Sequence, residues 1–212
     1  MKELKTTFEK KYFEQGFNLI VGIDEVGRGC FAGPMYFCAF LFFLGDSGYE
    51  GIIDSKQLSK KSRESMAVLL SSKFFFLEII KNQRIDELGL KDAMNKALLN
   101  LIDRIENKYK NRRIAFLIDG YFKGEWNENI FFITRGDAKV YSIAAASILA
   151  KVFRDSFMCD IATKYPVYGF EKNVGYGTCK HINAMRHYGL CSLHRKSFKP
   201  CKMITKTPRE KN

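Results

Sequence analysis

Apolar residues along this chain gather into short dense runs, set apart by polar stretches rich in glycine. Residues 19–24 read as a strand and residues 35–44 as a second, mostly buried one. Between them lies EVGRGCFAGP, whose glycines and Pro34 mark a turn with unusual backbone angles. Residues 54–60 form a polar loop in which Ser59 can cap a helix running on through Leu70. The segment KFFFLEIIK, residues 73–81, is β-prone and apolar enough for a covered strand. Over residues 90–109, Ala93, Ala97, Leu98, Leu101, Ile102 and Ile105 follow the spacing of an amphipathic helix. Residues 113–118 are apolar again and end in Asp119-Gly120, so this strand delivers a carboxylate to its tip. Asp137 opens a helical stretch to about residue 164, where Ala144, Ala145, Ala146 and Ala150 permit close packing. Residues 199–212 have little apolar content and read as a mobile basic tail.

Early strands followed by helix–strand alternation predict an α/β domain with a mixed sheet, spanning residues 1–198 ahead of that tail. The length suits one full-sized domain, and 46% hydrophobic residues with 14% aromatic are those of a globular chain. Thirty-five basic against 23 acidic residues leave a formal charge of +12. An excess of that size points to a polyanionic partner, because Lys and Arg that neutralise phosphates release condensed counterions. A merely basic soluble protein would carry the same charge. The cysteines, Cys30, Cys38, Cys159, Cys179, Cys191 and Cys201, include no C-x-x-C pair, which argues against a zinc ribbon or a thioredoxin-like site. The first residues are charged without an apolar leader region, and the longest apolar run, 35–44, falls short of a membrane span. A reduced cytoplasmic chain with no membrane association is expected.

Four acids resist ordinary explanations. Asp24 and Glu25 directly follow an apolar strand, and Asp24 projects from a stretch that otherwise reads as buried, where an unpaired charge is costly. Asp119 repeats the pattern at the end of IAFLI. Asp155 shares one helix face with Ala144, Ile148 and Lys151, although taken alone, beside Lys151 and Arg154, it reads as half of a salt bridge. Carboxylates brought together raise one another's pKa unless a cation neutralises them, and hard divalent ions such as Mg2+ or Mn2+ take oxygen ligands. Two such ions form the usual device for phosphodiester attack. The histidines give little to rival chemistries: His181, His187 and His194 lack metalloprotease spacing, and each reads as a surface residue. Neither a G-x-S-x-G elbow nor a Walker loop occurs.

Five segments stand in order from Gly22 to Phe198: GIDEVGRGCFAGP, DSKQLSKKSRE, LIDG, RGDAKVYSIAAASILAKVFRD and YGFEKNVGYGTCKHINAMRHYGLCSLHRKSF. Together they resemble the type 2 ribonuclease H family. That resemblance implies a ribonuclease H-like fold, a mixed sheet flanked by helices with a helical C-terminal extension. It implies a monomeric metal-dependent endonuclease using Mn2+ or Mg2+. The implied substrates are RNA/DNA hybrids, cut in the RNA strand, and duplex DNA, nicked 5′ of an embedded ribonucleotide to leave 3′-hydroxyl and 5′-phosphate ends. On this likeness Asp24, Glu25, Asp119 and Asp155 match the metal-binding acids, and Gly27, Arg28 and Gly29 the motif that reads the ribose 2′-hydroxyl. Tyr176 matches the tyrosine that stacks on the sugar at the RNA–DNA junction. Lys56, Lys139 and Ser142, with Asp137, match residues that support phosphate contacts and positioning. Arg195, Lys196, Lys199 and Lys202 suit backbone phosphate contacts.

The departures are modest: Cys30 stands where the family usually has proline, and Tyr121 where asparagine is common. A type 3 branch shares the fold but typically carries an extra N-terminal domain and a lysine at the place of Arg28, so the arginine favours type 2. A non-catalytic hybrid-binding protein would be expected to lack one of the four acids.

Overall fold

The helix Thr7–Glu14 (α1) leads into the strands Leu19–Val26 (β1) and Met35–Phe43 (β2). Lys60–Leu70 (α2), Phe75–Ile80 (β3), Asn82–Leu88 (α3) and Leu90–Lys108 (α4) follow, then Ile114–Asp119 (β4) and Ile130–Ile133 (β5). The long helix Tyr141–Ala162 (α5) precedes three short ones, Phe170–Asn173 (α6), Cys179–Tyr188 (α7) and Lys199–Lys202 (α8). The computed structural model describes residues 4–204. The chain divides into two compact units, Met1–Val26 with Phe37–Glu78 and Asn95–Val152, and Gly27–Tyr36 with Ile79–Met94 and Phe153–Asn212.

The sheet has the order β3-β2-β1-β4-β5. β1 and β4 are parallel, with Ile23 opposite Ile118, and β4 and β5 are parallel, with Asp119 opposite Ile133. The amide of Leu44, just past β2, bonds the carbonyl of Asn18, just before β1, so that pair runs antiparallel and the sheet is mixed as expected. β1, β2 and β4 are buried almost throughout, which explains their near-continuous apolar runs. β3 is an edge strand and only half covered, with Phe74 and Ile79 exposed, a correction to the covered strand that composition suggested.

In the first unit α5 begins against β1. A Cβ on Gly22 would come within 2.2 Å of the Ser142 carbonyl carbon, so only glycine lets the helix backbone reach the strand. Glu9 from α1 is fully buried there, and its Oε1 accepts the Ser142 amide hydrogen at 2.8 Å, answering one of the unpaired donors of a helix start. α5 starts at Tyr141 and not at Asp137, which lies in a single 3-10 turn, Gly136–Ala138. Ser59 caps α2 as expected, its hydroxyl accepting from the Ser62 amide.

The second unit is organised by two fully buried arginines. Arg154 on α5 donates to the carbonyls of Pro34, Val174 and Ala32 at 2.9, 2.8 and 3.2 Å. Arg195 donates twice to the Gly33 carbonyl and once to that of Arg28, at 3.1, 2.9 and 3.0 Å. Arg154 ties loops through their carbonyls, and Arg195 is inaccessible to a phosphate backbone. The stretch expected as a tail opens with α8, whose Cys201 is buried, and residues 205–212 lie outside the described residues.

Candidate active site

In the first unit the register Ile23–Ile118 sets Asp24, two residues before the end of β1, beside Asp119, the last residue of the parallel β4, toward the carboxyl ends where open α/β sheets gather their sites. Asp24 is 7% exposed. Its Oδ1 accepts the Glu25 amide hydrogen at 2.7 Å, and the Ser147 hydroxyl also bonds the carboxylate. Burial pushes the Asp24 carboxyl well above the usual range, and the charges of Glu25 and Asp119 push it further the same way. Asp119 is raised as well, first by burial and then by Asp137, against the Gly136 amide that donates to its Oδ1 at 2.6 Å.

Lys56 balances part of this charge. Its Nζ lies 2.7 Å from Asp137 Oδ2, with the lysine side chain 77% exposed and the aspartate 6%. That hydrogen bond is the main cause of its raised pKa. Lys139 is exposed and donates to the Thr134 carbonyl at 2.6 Å. Ser142 is fully buried beneath Glu9, so it acts on the surroundings of the site through the start of α5 and cannot touch a substrate.

The remaining candidates belong to the second unit. Gly27 has φ +91°, and a Cβ there would lie 2.3 Å from Arg154 Nε. Gly29 faces open space, with nothing within 4 Å of where its Cβ would be, and Arg28 between them is exposed. The loop is thus held from behind by arginine and bare in front. Tyr176 is 39% exposed, and the Arg154 guanidinium lies 5.9 Å from its ring centre. Burial raises its phenol to about 12, with Cys30 and the Asp155 charge adding to the effect. Asp155 sits on α5, partly exposed and close enough to Tyr176 to act on it.

The oxygen donors, a buried Asp24 carboxylate raised further by Glu25 and Asp119 with only partly exposed acids beside it, fit the chemistry of a hard divalent cation. Among the described residues, no group of three or more His, Cys, Asp or Glu is gathered tightly enough to hold a metal ion. Two residues read as surface histidines are not: His181 and His194 are 0% and 1% exposed. No spacing pattern marked them, since they meet only through the fold. Among the described residues, no helix is long and apolar enough to cross a membrane.

The fold is shared with solved ribonucleases H. The ribonuclease H2 of Pyrococcus horikoshii OT3 matches at TM-score 0.71 and 20% identity, over 88% of this chain and 96% of that one. Bst-RNase HIII in complex with Mn2+ matches at TM-score 0.63 and 18% identity, over 87% and 68%. The architecture is therefore the ribonuclease H-like fold, with carboxylates at the tips of neighbouring parallel strands. Residues 21–201 match the family model of ribonuclease HII. The chain is 41% identical over 197 residues to the ribonuclease HII of Endomicrobium trichonymphae, covering 92% of this chain and 91% of that protein. It is 39% identical over 204 residues to that of Caldicellulosiruptor saccharolyticus, covering 92% and 97%. This chain belongs to the ribonuclease HII family, and with it to the endoribonuclease hydrolases.

Proposed function

We propose that this ribonuclease H cuts the RNA strand of RNA/DNA hybrids and nicks duplex DNA on the 5′ side of an embedded ribonucleotide, leaving 3′-hydroxyl and 5′-phosphate ends. The observation that carries the reading is the buried Asp24 carboxylate, raised by burial and by Glu25 and Asp119, at the tip of a strand parallel and adjacent to that of Asp119. Asp24, Glu25, Asp119 and Asp155 would hold divalent ions, Mn2+ or Mg2+. When bound, such a pair of ions supplies an activated water and neutralises the leaving oxygen. Backbone groups around Gly29, with no side chain in front of them, approach the ribose and read its 2′-hydroxyl. Arg28 is exposed for a phosphate, and Tyr176, 39% exposed, is the residue that would stack on the sugar past the ribonucleotide. Lys56 keeps most of its side chain in solvent while holding Asp137, and so is placed to meet a phosphate.

The test is product mapping on an end-labelled duplex carrying one ribonucleotide, beside an all-DNA duplex and a continuous hybrid. One nick 5′ of the ribonucleotide, no cut in the all-DNA duplex and cleavage of the hybrid are expected. A cut on the 3′ side, or equal cleavage of the all-DNA duplex, contradicts the reading. Binding to the hybrid without any cleavage would return the non-catalytic alternative.

A further inference from the structure

The second unit contains a buried pair of imidazoles whose hydrogen bonds fix the place of every proton. His194 Nδ1 lies 2.9 Å from the Cys191 amide nitrogen, a group that can only donate. That ring nitrogen therefore offers a lone pair, and neutral His194 carries its hydrogen on Nε2. The Cys191 thiol, 3.1 Å from the same nitrogen, can add a second donor. His194 Nε2 lies 3.1 Å from His181 Nε2, so the hydrogen between them belongs to His194 and His181 accepts it. His181 then carries its own hydrogen on Nδ1, which lies 2.9 Å from the Tyr176 carbonyl oxygen.

The reverse arrangement fails at both ends. It would use the Cys191 carbonyl, 3.3 Å from His194 Nδ1, as acceptor. It would then set two N–H groups against each other at Cys191 and a lone pair against the Tyr176 carbonyl. The surroundings hold the rings in place. Tyr168 packs 4.9 Å from His194, Phe170 packs 5.4 Å from His181, and the Asn82 side chain on α3 donates to the Ser192 carbonyl at 2.8 Å.

The far end of this chain is the residue proposed above to stack on the sugar. The Tyr176 carbonyl accepts from both the Thr178 amide at 2.8 Å and His181 Nδ1, which fills both its lone pairs and fixes the peptide plane. The Tyr176 amide in turn donates to the Asn173 carbonyl at 2.8 Å. We propose that His194 and His181 form a proton-ordered relay that positions Tyr176, and are positioning residues for the discrimination of ribonucleotide-containing DNA. The functional half of this proposal rests on the stacking role given to Tyr176.

Two measurements test it. Nitrogen-15 NMR of histidine-labelled full-length protein at neutral pH reads the tautomers directly. The relay requires the hydrogen on Nε2 of His194 and on Nδ1 of His181, and the opposite assignment or a charged ring overturns it. The second is the ratio of kcat/KM on a single-ribonucleotide duplex to that on a continuous hybrid. His194→Leu removes the donor to His181 at similar volume and is expected to lower this ratio about three- to tenfold. His194→Gln, whose amide can place an N–H where ring Nε2 stood, is expected to retain the ratio within about twofold. In a Tyr176→Ala background the leucine substitution should lower the ratio no further, since its effect passes through that residue. Equal loss with leucine and glutamine, or an added loss in the Tyr176→Ala background, overturns the positioning role. If Tyr176→Ala itself leaves the ratio unchanged, the stacking role falls and the positioning role with it, while the tautomers still decide whether the relay exists.

Discussion

At the scale of single residues, the site and the fold make opposite demands on Asp24. Its carboxylate is buried among charges of the same sign, a cost that a bound cation would offset. Asp24→Asn keeps the shape and removes the charge, so the metal-free variant should melt about 2–4 °C higher than wild type in a thermal scan in EDTA, for about 1 kcal/mol of relieved repulsion. A lower melting temperature would contradict that. Gly22 makes the contrasting case. A methyl group there meets the Ser142 backbone at 2.2 Å, and backbone cannot step aside as a flexible side chain would. Gly22→Ala should cost about 1–3 kcal/mol by chemical denaturation, through displacement of α5 from β1.

At the scale of elements, the strongest features of the sequence are those with long periodic or apolar signals. β1, β2, β4 and α4 all appear close to where hydrophobic spacing put them. α1 and β5 gave no such signal. α1 is a half-charged helix whose buried Glu9 is explained only by the Ser142 amide that it meets, and β5 is four half-buried residues on an edge. Among the acids, the strand-tip positions of Asp24 and Asp119 were legible, because a carboxylate ending a buried apolar run is visible in one dimension. The buried arginines were not, since a charged side chain in sequence gives no sign that carbonyls will surround it. Arg195 illustrates this, because three of its hydrogen bonds hold the loop that bears Arg28. Arg195→Met should leave those carbonyls without partners and lower stability by about 3 kcal/mol in urea unfolding. It should also raise KM for ribonucleotide-containing duplex more than it lowers kcat, because the chemistry of the carboxylates is untouched.

At the scale of the whole molecule, the buried histidines set an acid limit on stability. Burial, reinforced by the neighbouring His181, holds His194 down to about 4, against an ordinary value of 6.5. Between those values the unfolded chain binds the proton and the folded one does not, so stability present above pH 6.5 is lost as pH falls toward 4. At pH 5 this amounts to about 2 kcal/mol. Buried carboxyls such as Glu9, raised by burial, act in the opposite sense, so the contribution is isolated by difference. Between pH 7.5 and 5 the melting temperature of wild type should fall about 5 °C more than that of His194→Gln. Equal shifts would mean that His194 is not held neutral. The chain carries a formal charge of +12, and on the proposed reading its basic excess would meet the phosphate backbone while a divalent cation would offset the repulsion around Asp24.

One assay joins the metal to Asp24. A duplex carrying a single ribonucleotide is incubated with wild type and with Asp24→Asn, each in Mn2+, in Mg2+ and in EDTA. Wild type with a divalent ion should nick 5′ of the ribonucleotide, and there should be no nick in EDTA or by the variant, which still binds the duplex. Cleavage that persists in EDTA, or at wild-type rate in Asp24→Asn, would contradict it.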